Sequence, residues 1–336
     1  MRPTVRRRTI ALTLAWSAVA LPAAAHESQP GLLSIDQLAE ARYQISWRAP
    51  IYYGQPHPAR LELPEAWRPV SQPTVRRLAD SELHRLIVEI DGGSIHGSIV
   101  RFPGLEATIT DVFVRVSRLD GTESTYLIRP TRPLAVLRGE RAWYVSAVDY
   151  VFLGFQHILM GVDHLLFVLG LVVIVDSRRK LIVTITSFTV AHSVTLAVAT
   201  LGYARAPSEP LNAAIALSIL FLGPEIVRRW RGRTSLTIRR PWVVAFVFGL
   251  LHGFGFASGL STAGLPEAEI PLALLTFNVG VELGQVAFVL LIVAVERSVR
   301  ALRFDPPAWV EYAPGYLVGS LGAFWTIERT WRVLAG

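Results

Sequence analysis

His157-Ile-Leu-Met-Gly-Val-Asp163-His164 lies inside an apolar run from Val151 to Val175, and its reading decides the fold. A run of that length can cross the roughly 30 Å hydrocarbon core of a bilayer. Placing an acid and two imidazoles inside it is expensive, since an aspartate at the centre of a membrane helix costs roughly 2.5–3.5 kcal/mol. On one continuous helix the two histidines share a face and stand two turns, or about 10.5 Å, apart. A lone histidine in such a run serves equally well as glue between helices. Three costly groups in one span, with more at matching depth in other spans, point instead to a site.

The rest of the chain supports a membrane reading. Of 336 residues 51% are hydrophobic, and the formal net charge is +7. That charge is not a nucleic-acid patch. Residues 1–25 carry four arginines and no acid, residues 26–142 carry fourteen of each sign, and residues 143–336 carry fifteen basic and twelve acidic residues. The excess therefore sits in the N-terminal tip and in short connections between apolar segments, which is a topology signal. The chain has no cysteine, which excludes disulfides, thiolate metal sites and a thiol nucleophile.

The N-terminus reads as a signal peptide over residues 1–25. Arg2, Arg6, Arg7 and Arg8 precede an apolar stretch from Ile10 to Ala20, and Ala23-Ala24-Ala25 supplies small residues for cleavage. Cleavage there leaves His26 as the new terminus. Residues 26–142 then read as an exported all-β domain, an immunoglobulin-like sandwich. Its short alternating runs are Glu40–Trp47, Ala59–Leu63, His84–Ile90, Ser94–Phe102, Asp111–Leu119 and Ser124–Arg129. Asp91-Gly92-Gly93 and Asp120-Gly121 predict hairpins between the last two pairs of runs.

Residues 143–336 read as a transmembrane domain of six helices, near 150–175, 181–201, 211–228, 241–260, 270–295 and 313–334. Twelve basic residues follow the first, third and fifth of these, against Arg205 alone in the alternate connections. The positive-inside rule puts the basic loops in the cytoplasm and the N-terminal domain in the periplasm, so the protein is expected as a multi-pass resident of a bacterial inner membrane.

All four histidines of this half, His157, His164, His192 and His252, fall inside predicted spans, as do Asp163 and Glu282. Asp163, His164, His192, His252 and Glu282 are expected to form one central layer, with His157 and Asn278 toward the periplasmic mouth. Imidazole with carboxylate suits borderline divalent metals such as nickel, cobalt or zinc. The same groups also suit a proton relay. Glycines 249, 253, 280 and 284 allow close helix packing. Glu225, Glu328 and Arg329 are expected to be interfacial or paired. There is no phosphate-binding loop, so transport would be secondary or facilitated.

At these residues the sequence resembles the HupE/UreJ proteins, in the branch with an exported N-terminal domain. The resemblance covers most of residues 150–290. It is carried by Phe152-Leu-Gly-Phe-Gln-His157 through Phe167, Ser187-Phe-Thr-Val-Ala-His-Ser-Val-Thr-Leu196, Ala214-Ile-Ala-Leu-Ser-Ile219, Phe248-Gly-Leu-Leu-His-Gly-Phe-Gly-Phe-Ala257 and Phe277-Asn-Val-Gly-Val-Glu-Leu-Gly-Gln285. The His-x5-Asp-His pattern is also similar to the signature of nickel/cobalt permeases, which have one residue fewer in the gap. In HupE/UreJ proteins an acidic residue often precedes the Ala-Ile-Ala-Leu-Ser motif, where this chain has Asn212. The resemblance implies uptake of Ni²⁺ or Co²⁺ as cargo, with hydrogenase or urease maturation as the associated system, no resident cofactor, and a transporter in place of an enzyme. Two alternatives stand beside it: an intramembrane metal-dependent hydrolase, and a non-transporting accessory protein that delivers metal to a partner.

Overall fold

A computed structural model describes residues 30–52, 55–78, 81–139, 142–262, 269–302, 307, 310 and 312–335. The signal segment and His26 lie outside the described residues. The chain divides into two compact units, one built on residues 26–149 and the other mainly on residues 150–258 and 274–336.

The first unit is a β-sheet domain. Its main sheet has seven strands: β1 (Gly31–Ala39), β2 (Arg42–Pro50), β3 (Trp67–Pro69), β4 (Thr74–Arg77), β5 (Ser81–Ile90), β7 (Val112–Ser117) and β8 (Glu123–Ile128). β6 (Ile99–Arg101) and β9 (Leu134–Val136) form a separate two-stranded sheet. Among the described residues the strands thus divide seven and two. β1 lies between β2, which it meets antiparallel, and β7, which it meets parallel. Period-2 alternation sets the core: Tyr43, Ile45 and Trp47 on β2 and Leu33 and Ile35 on β1 point inward and are almost fully buried. Burying each of the aliphatic ones contributes roughly 1.5–3 kcal/mol. Gly31 is required by its neighbour, because a Cβ there would come within 2.6 Å of the Trp47 ring.

Of the two predicted hairpins one forms. β7 and β8 pair antiparallel around Asp120-Gly121. The Asp91-Gly92-Gly93 turn does not join paired strands, since β5 pairs with β2, β3 and β4. The run after it is interrupted at Gly97, whose φ of 79° takes the chain out of extended geometry. Only Ile99–Arg101 resumes as a strand, and it pairs with β9. Residues 59–63 contribute an isolated bridge, Glu62 to Arg101, and not a strand.

The second unit is helical: α1 (Trp143–Met160), α2 (Val162–Ile174), α3 (Arg178–Thr200), α4 (Ser208–Trp230), the short α5 (Leu236–Arg239), α6 (Pro241–Thr262), α7 (Ile270–Ala301) and α8 (Ala313–Ala335). Each predicted segment is helical, but the first is two helices, α1 and α2, bent by 72° at Gly161. Among the described residues α3, α4 and α7 are long and apolar enough to cross a membrane, and the bent pair makes a fourth candidate. α6 is apolar but short over its described side chains, and α8 ends in Glu328, Arg329 and Arg332.

Glycines set the helix crossings. A Cβ on Gly154 of α1 would strike the Phe277 carbonyl of α7, and one on Gly280 of α7 the Val151 carbonyl of α1. Gly249 and Gly253 of α6 seat in the same way against Phe188 and His192 of α3, and Gly223 of α4 meets Gly319 of α8. Such contacts replace hydrophobic driving force, which lipid does not supply between helices.

Two buried titratable groups give the β-domain a pH signature. Burial pushes the Asp111 carboxyl up to about 7, with Arg129 lowering it and Asp149 raising it. Burial pushes His57, whose Nδ1 accepts from Ala59 N at 3.1 Å, down to about 4. A raised carboxyl contributes stability that is complete below its unfolded value and lost as pH rises through 7. A depressed imidazole contributes stability present above 6.5 and lost as pH falls through 4. Between pH 4 and 7 the two oppose each other. In a fragment of residues 26–149, which keeps Asp149, Asp111→Asn should therefore melt higher than the unsubstituted fragment at pH 8 and lose that advantage by pH 4. A difference that does not change with pH would contradict the assignment.

Candidate metal centre

The bend between α1 and α2 builds the centre. Gly161 N donates to His157 O at 2.9 Å, and Leu165 N donates to Gly161 O at 3.0 Å, so backbone bonding continues through the break. Gly161 itself has ψ 91°, which turns the chain. A Cβ there would lie 2.6 Å from His164 Nδ1 and 2.8 Å from His157 O, so the corner has no room for a side chain. The consequence is a correction to the straight-helix reading. His157, at the end of α1, and His164, in the first turn of α2, have ring centroids 4.7 Å apart.

His192 of α3 completes the group. Its ring lies 6.2 Å from His157 and 6.4 Å from His164, and one ligand atom from each of the three rings falls within 4.8 Å of the others. A metal held at about 2.1 Å from three nitrogens needs them about 3.4 Å apart, so the rings have to close by about 1.4 Å at most. His252 of α6 stands beside His164, at 4.9 Å between centroids. His157 is thus inside the cluster, not at a mouth above it.

Hydrogen bonds to their other nitrogens fix how two of these rings are presented. Asn278 Nδ2 donates to Leu274 O at 2.7 Å, which turns its Oδ1 toward His192 Nδ1 at 3.2 Å. His192 therefore donates through Nδ1 and keeps a lone pair on Nε2. Ser218 Oγ donates to Ile215 O at 2.6 Å and so accepts from His252 Nε2 at 3.1 Å, leaving the lone pair on Nδ1. Those two lone-pair nitrogens, both nitrogens of His164 and Nε2 of His157 are buried with no hydrogen-bond partner among the described residues. Buried polar atoms left this way cost free energy, and a bound ion is one way to recover it. Orienting a ligand histidine through its other nitrogen is the usual arrangement at metal sites. Asn278 is accordingly a positioning residue for His192. The walls are aromatic: Phe256 packs on His157 at 4.4 Å, and Phe188 and Phe277 stack on His192.

The carboxylates expected in the same layer are engaged elsewhere. Asp163 Oδ2 accepts from Arg329 Nη1 at 2.9 Å, with both side chains about nine-tenths buried. Arg329 also donates to the Asn212 carbonyl at 3.1 Å and lies over the Trp325 ring at 5.6 Å. Glu282 accepts from the hydroxyls of Thr186, at 2.6 Å, and Thr189. The Gln285 side-chain amide lies 3.1 Å from the same Thr189 hydroxyl. Glu225 is buried and accepts from Arg228 and from Ser235, the residue that caps α5. Arg329, expected to be interfacial or paired, has Asp163 as its partner; Ser218, Thr186, Thr189 and Gln285 are additions to the sequence reading.

A model of the family described as HupE / UreJ protein matches residues 135–329, more than half of the chain. The chain belongs to the HupE/UreJ family. The match begins at β9 and ends on Arg329, so it takes in every histidine of the cluster and the arginine bound to Asp163. HupE/UreJ proteins are associated with nickel/cobalt transport or accessory function and are not an enzyme family. Membrane residence follows from this membership together with the apolar helices. No curated protein and no solved structure matches the chain.

Asp163 and Arg329 form a buried ion pair, and removing one partner of such a pair leaves an uncompensated charge at a cost of roughly 3–5 kcal/mol. Asp163→Asn should lower the thermal stability of the purified HupE/UreJ protein markedly, and adding Arg329→Gln should restore much of the loss. Undiminished stability in Asp163→Asn alone would refute this role.

Proposed function

We propose that this HupE/UreJ protein is an inner-membrane permease for a divalent transition metal, nickel or cobalt, with its β-domain in the periplasm and its basic loops in the cytoplasm. The observation that carries the reading is the set of buried imidazole nitrogens converging on one point, with the rings of His192 and His252 oriented so that a lone pair is left over. Neutral imidazole is a suitable ligand for nickel, cobalt and zinc. The aromatic walls keep competing water away, so the ion exchanges its hydration shell for nitrogen.

A row of hydrogen-bonded polar side chains leads on from the site. On α3, Thr186, Thr189 and His192 follow at helical spacing, and on α7 so do Asn278, Glu282 and Gln285. The two rows are joined by the bonds His192–Asn278, Thr189–Glu282, Thr186–Glu282 and Thr189–Gln285. From His192 to Thr186 the row covers about 9 Å. It heads toward the N-terminus of α3, where Arg178, Arg179 and Lys180 mark the cytoplasmic end in the proposed topology. An oxygen-lined step after a nitrogen-lined one lets a bound ion leave, since conduction needs sites weak enough to release. The ion is cargo, and transport is secondary or facilitated. The engagement of Asp163 by Arg329 and of Glu282 by two hydroxyls favours this over a hydrolase, which needs a carboxylate beside the metal to activate water.

The test is nickel and cobalt accumulation in cells, normalised to membrane-inserted protein. His164→Ala and His192→Ala should each reduce uptake at least about tenfold, and Asn278→Ala should do so within about 10–100-fold. Abundance should hardly change, because polar contacts between membrane helices are worth about 0.6 kcal/mol on average. Normal uptake in both histidine variants would overturn the permease site.

A further inference from the structure

Outside the metal centre, the β-domain carries a cavity of about 530 Å³ whose rim is basic. Its lining includes Arg129, Arg132 and Arg138, with Asp149 as the one acid. We propose that this cavity binds the phosphate of an anionic phospholipid headgroup.

The local structure holds the three arginines around one opening. Arg129 closes β8, and its guanidinium is fixed by Asp149 at 2.9 Å. Arg132 N donates to Arg129 O at 2.9 Å, so the tight turn between them brings the second guanidinium round to the same side as the first. Arg138 follows β9, and its backbone N donates to the buried Tyr126 hydroxyl at 3.1 Å, while that hydroxyl donates to Gly139 O at 2.9 Å. Arg132 and Arg138 are exposed, so their charge is available to a ligand. Three cations against one anion leave the lining net positive. A guanidinium presents paired donors in a plane, which matches a phosphate bidentately. The volume is in the range of sites for headgroup-sized ligands.

The chain itself argues for a lipid as the source of that phosphate. Asp149 belongs to α1, two residues before the apolar run that starts at Val151, which is about 3 Å along the helix axis. One residue of the lining is therefore adjacent in the chain to the segment that enters the hydrocarbon. Trp143 and Tyr144, at the start of the same helix, are 70% and 60% exposed. Tryptophan and tyrosine collect at the membrane interface, where their rings sit among headgroups. Basic pockets beside a span are favourable places for anionic headgroups. None of this depends on the metal centre or on transport.

The test uses the full chain in nanodiscs of phosphatidylcholine alone or with phosphatidylglycerol added. Thermal unfolding and native mass spectrometry of retained lipid are the readouts. Phosphatidylglycerol should raise the melting temperature by several degrees and should be retained on release from the disc. Arg132→Gln with Arg138→Gln, both at exposed positions, should abolish the shift and the retention. The same pair changed to lysine, which keeps charge but not the bidentate fork, should preserve only part of both. Inorganic phosphate added to phosphatidylcholine discs should produce no comparable shift. Equal melting temperatures in the two discs, an unchanged shift in the glutamine variant, or reproduction of the shift by inorganic phosphate would each overturn the proposal.

Discussion

The helix break at Gly161 is the constraint on which the site depends. A continuous helix keeps residues seven apart about 10.5 Å from each other, and no single ion bridges that gap. Bending the chain by 72° brings the rings of His157 and His164 to 4.7 Å. Backbone bonds on both sides of the corner keep its polar groups satisfied, which a bilayer requires. The same turn places Asp163 in the first turn of α2, where the positive end of the helix dipole and Arg329 both favour its charge. One glycine thereby determines which side chain joins the imidazole cluster and which one pairs with Arg329.

Charge and ligand functions are separated in space. The carboxylate of Asp163 is held by a guanidinium and that of Glu282 by hydroxyls, while the imidazoles face one another among phenylalanines. In the proposed permease, a neutral nitrogen site with the acids set back would bind a cation without trapping it as a carboxylate cage would. That balance suits passage better than storage.

Much of this was legible in the sequence. The apolar segments, the polar residues within them and the charge asymmetry of the loops pointed to a helical membrane half and named the histidines that the structure brings together. The Asp120-Gly121 hairpin was equally readable, since its flanking runs alternate cleanly. What stayed hidden depends on three-dimensional closure. Nothing in periodicity distinguishes a glycine that merely fits from Gly161, whose missing Cβ is needed by a ring three residues on. The pairing of Asp163 with Arg329 spans 166 residues, and although Arg329 was expected to be interfacial or paired, nothing in the sequence names its partner. The failed hairpin at Asp91 had a visible warning in Gly97, which breaks the alternation. The rows Thr186–Thr189–His192 and Asn278–Glu282–Gln285 were visible as spacings, but that they face each other was not.

The central claim is that the bent helix pair and α3 offer a metal an imidazole site, and X-ray absorption of the purified full chain loaded with one equivalent of cobalt or nickel tests it most directly. The account predicts a first shell containing three imidazoles, with the outer-shell scattering that imidazole rings produce, and the loss of one imidazole in His157→Ala, His164→Ala or His192→Ala. A shell of oxygen alone, or one whose imidazole count is the same in all three variants, would contradict it.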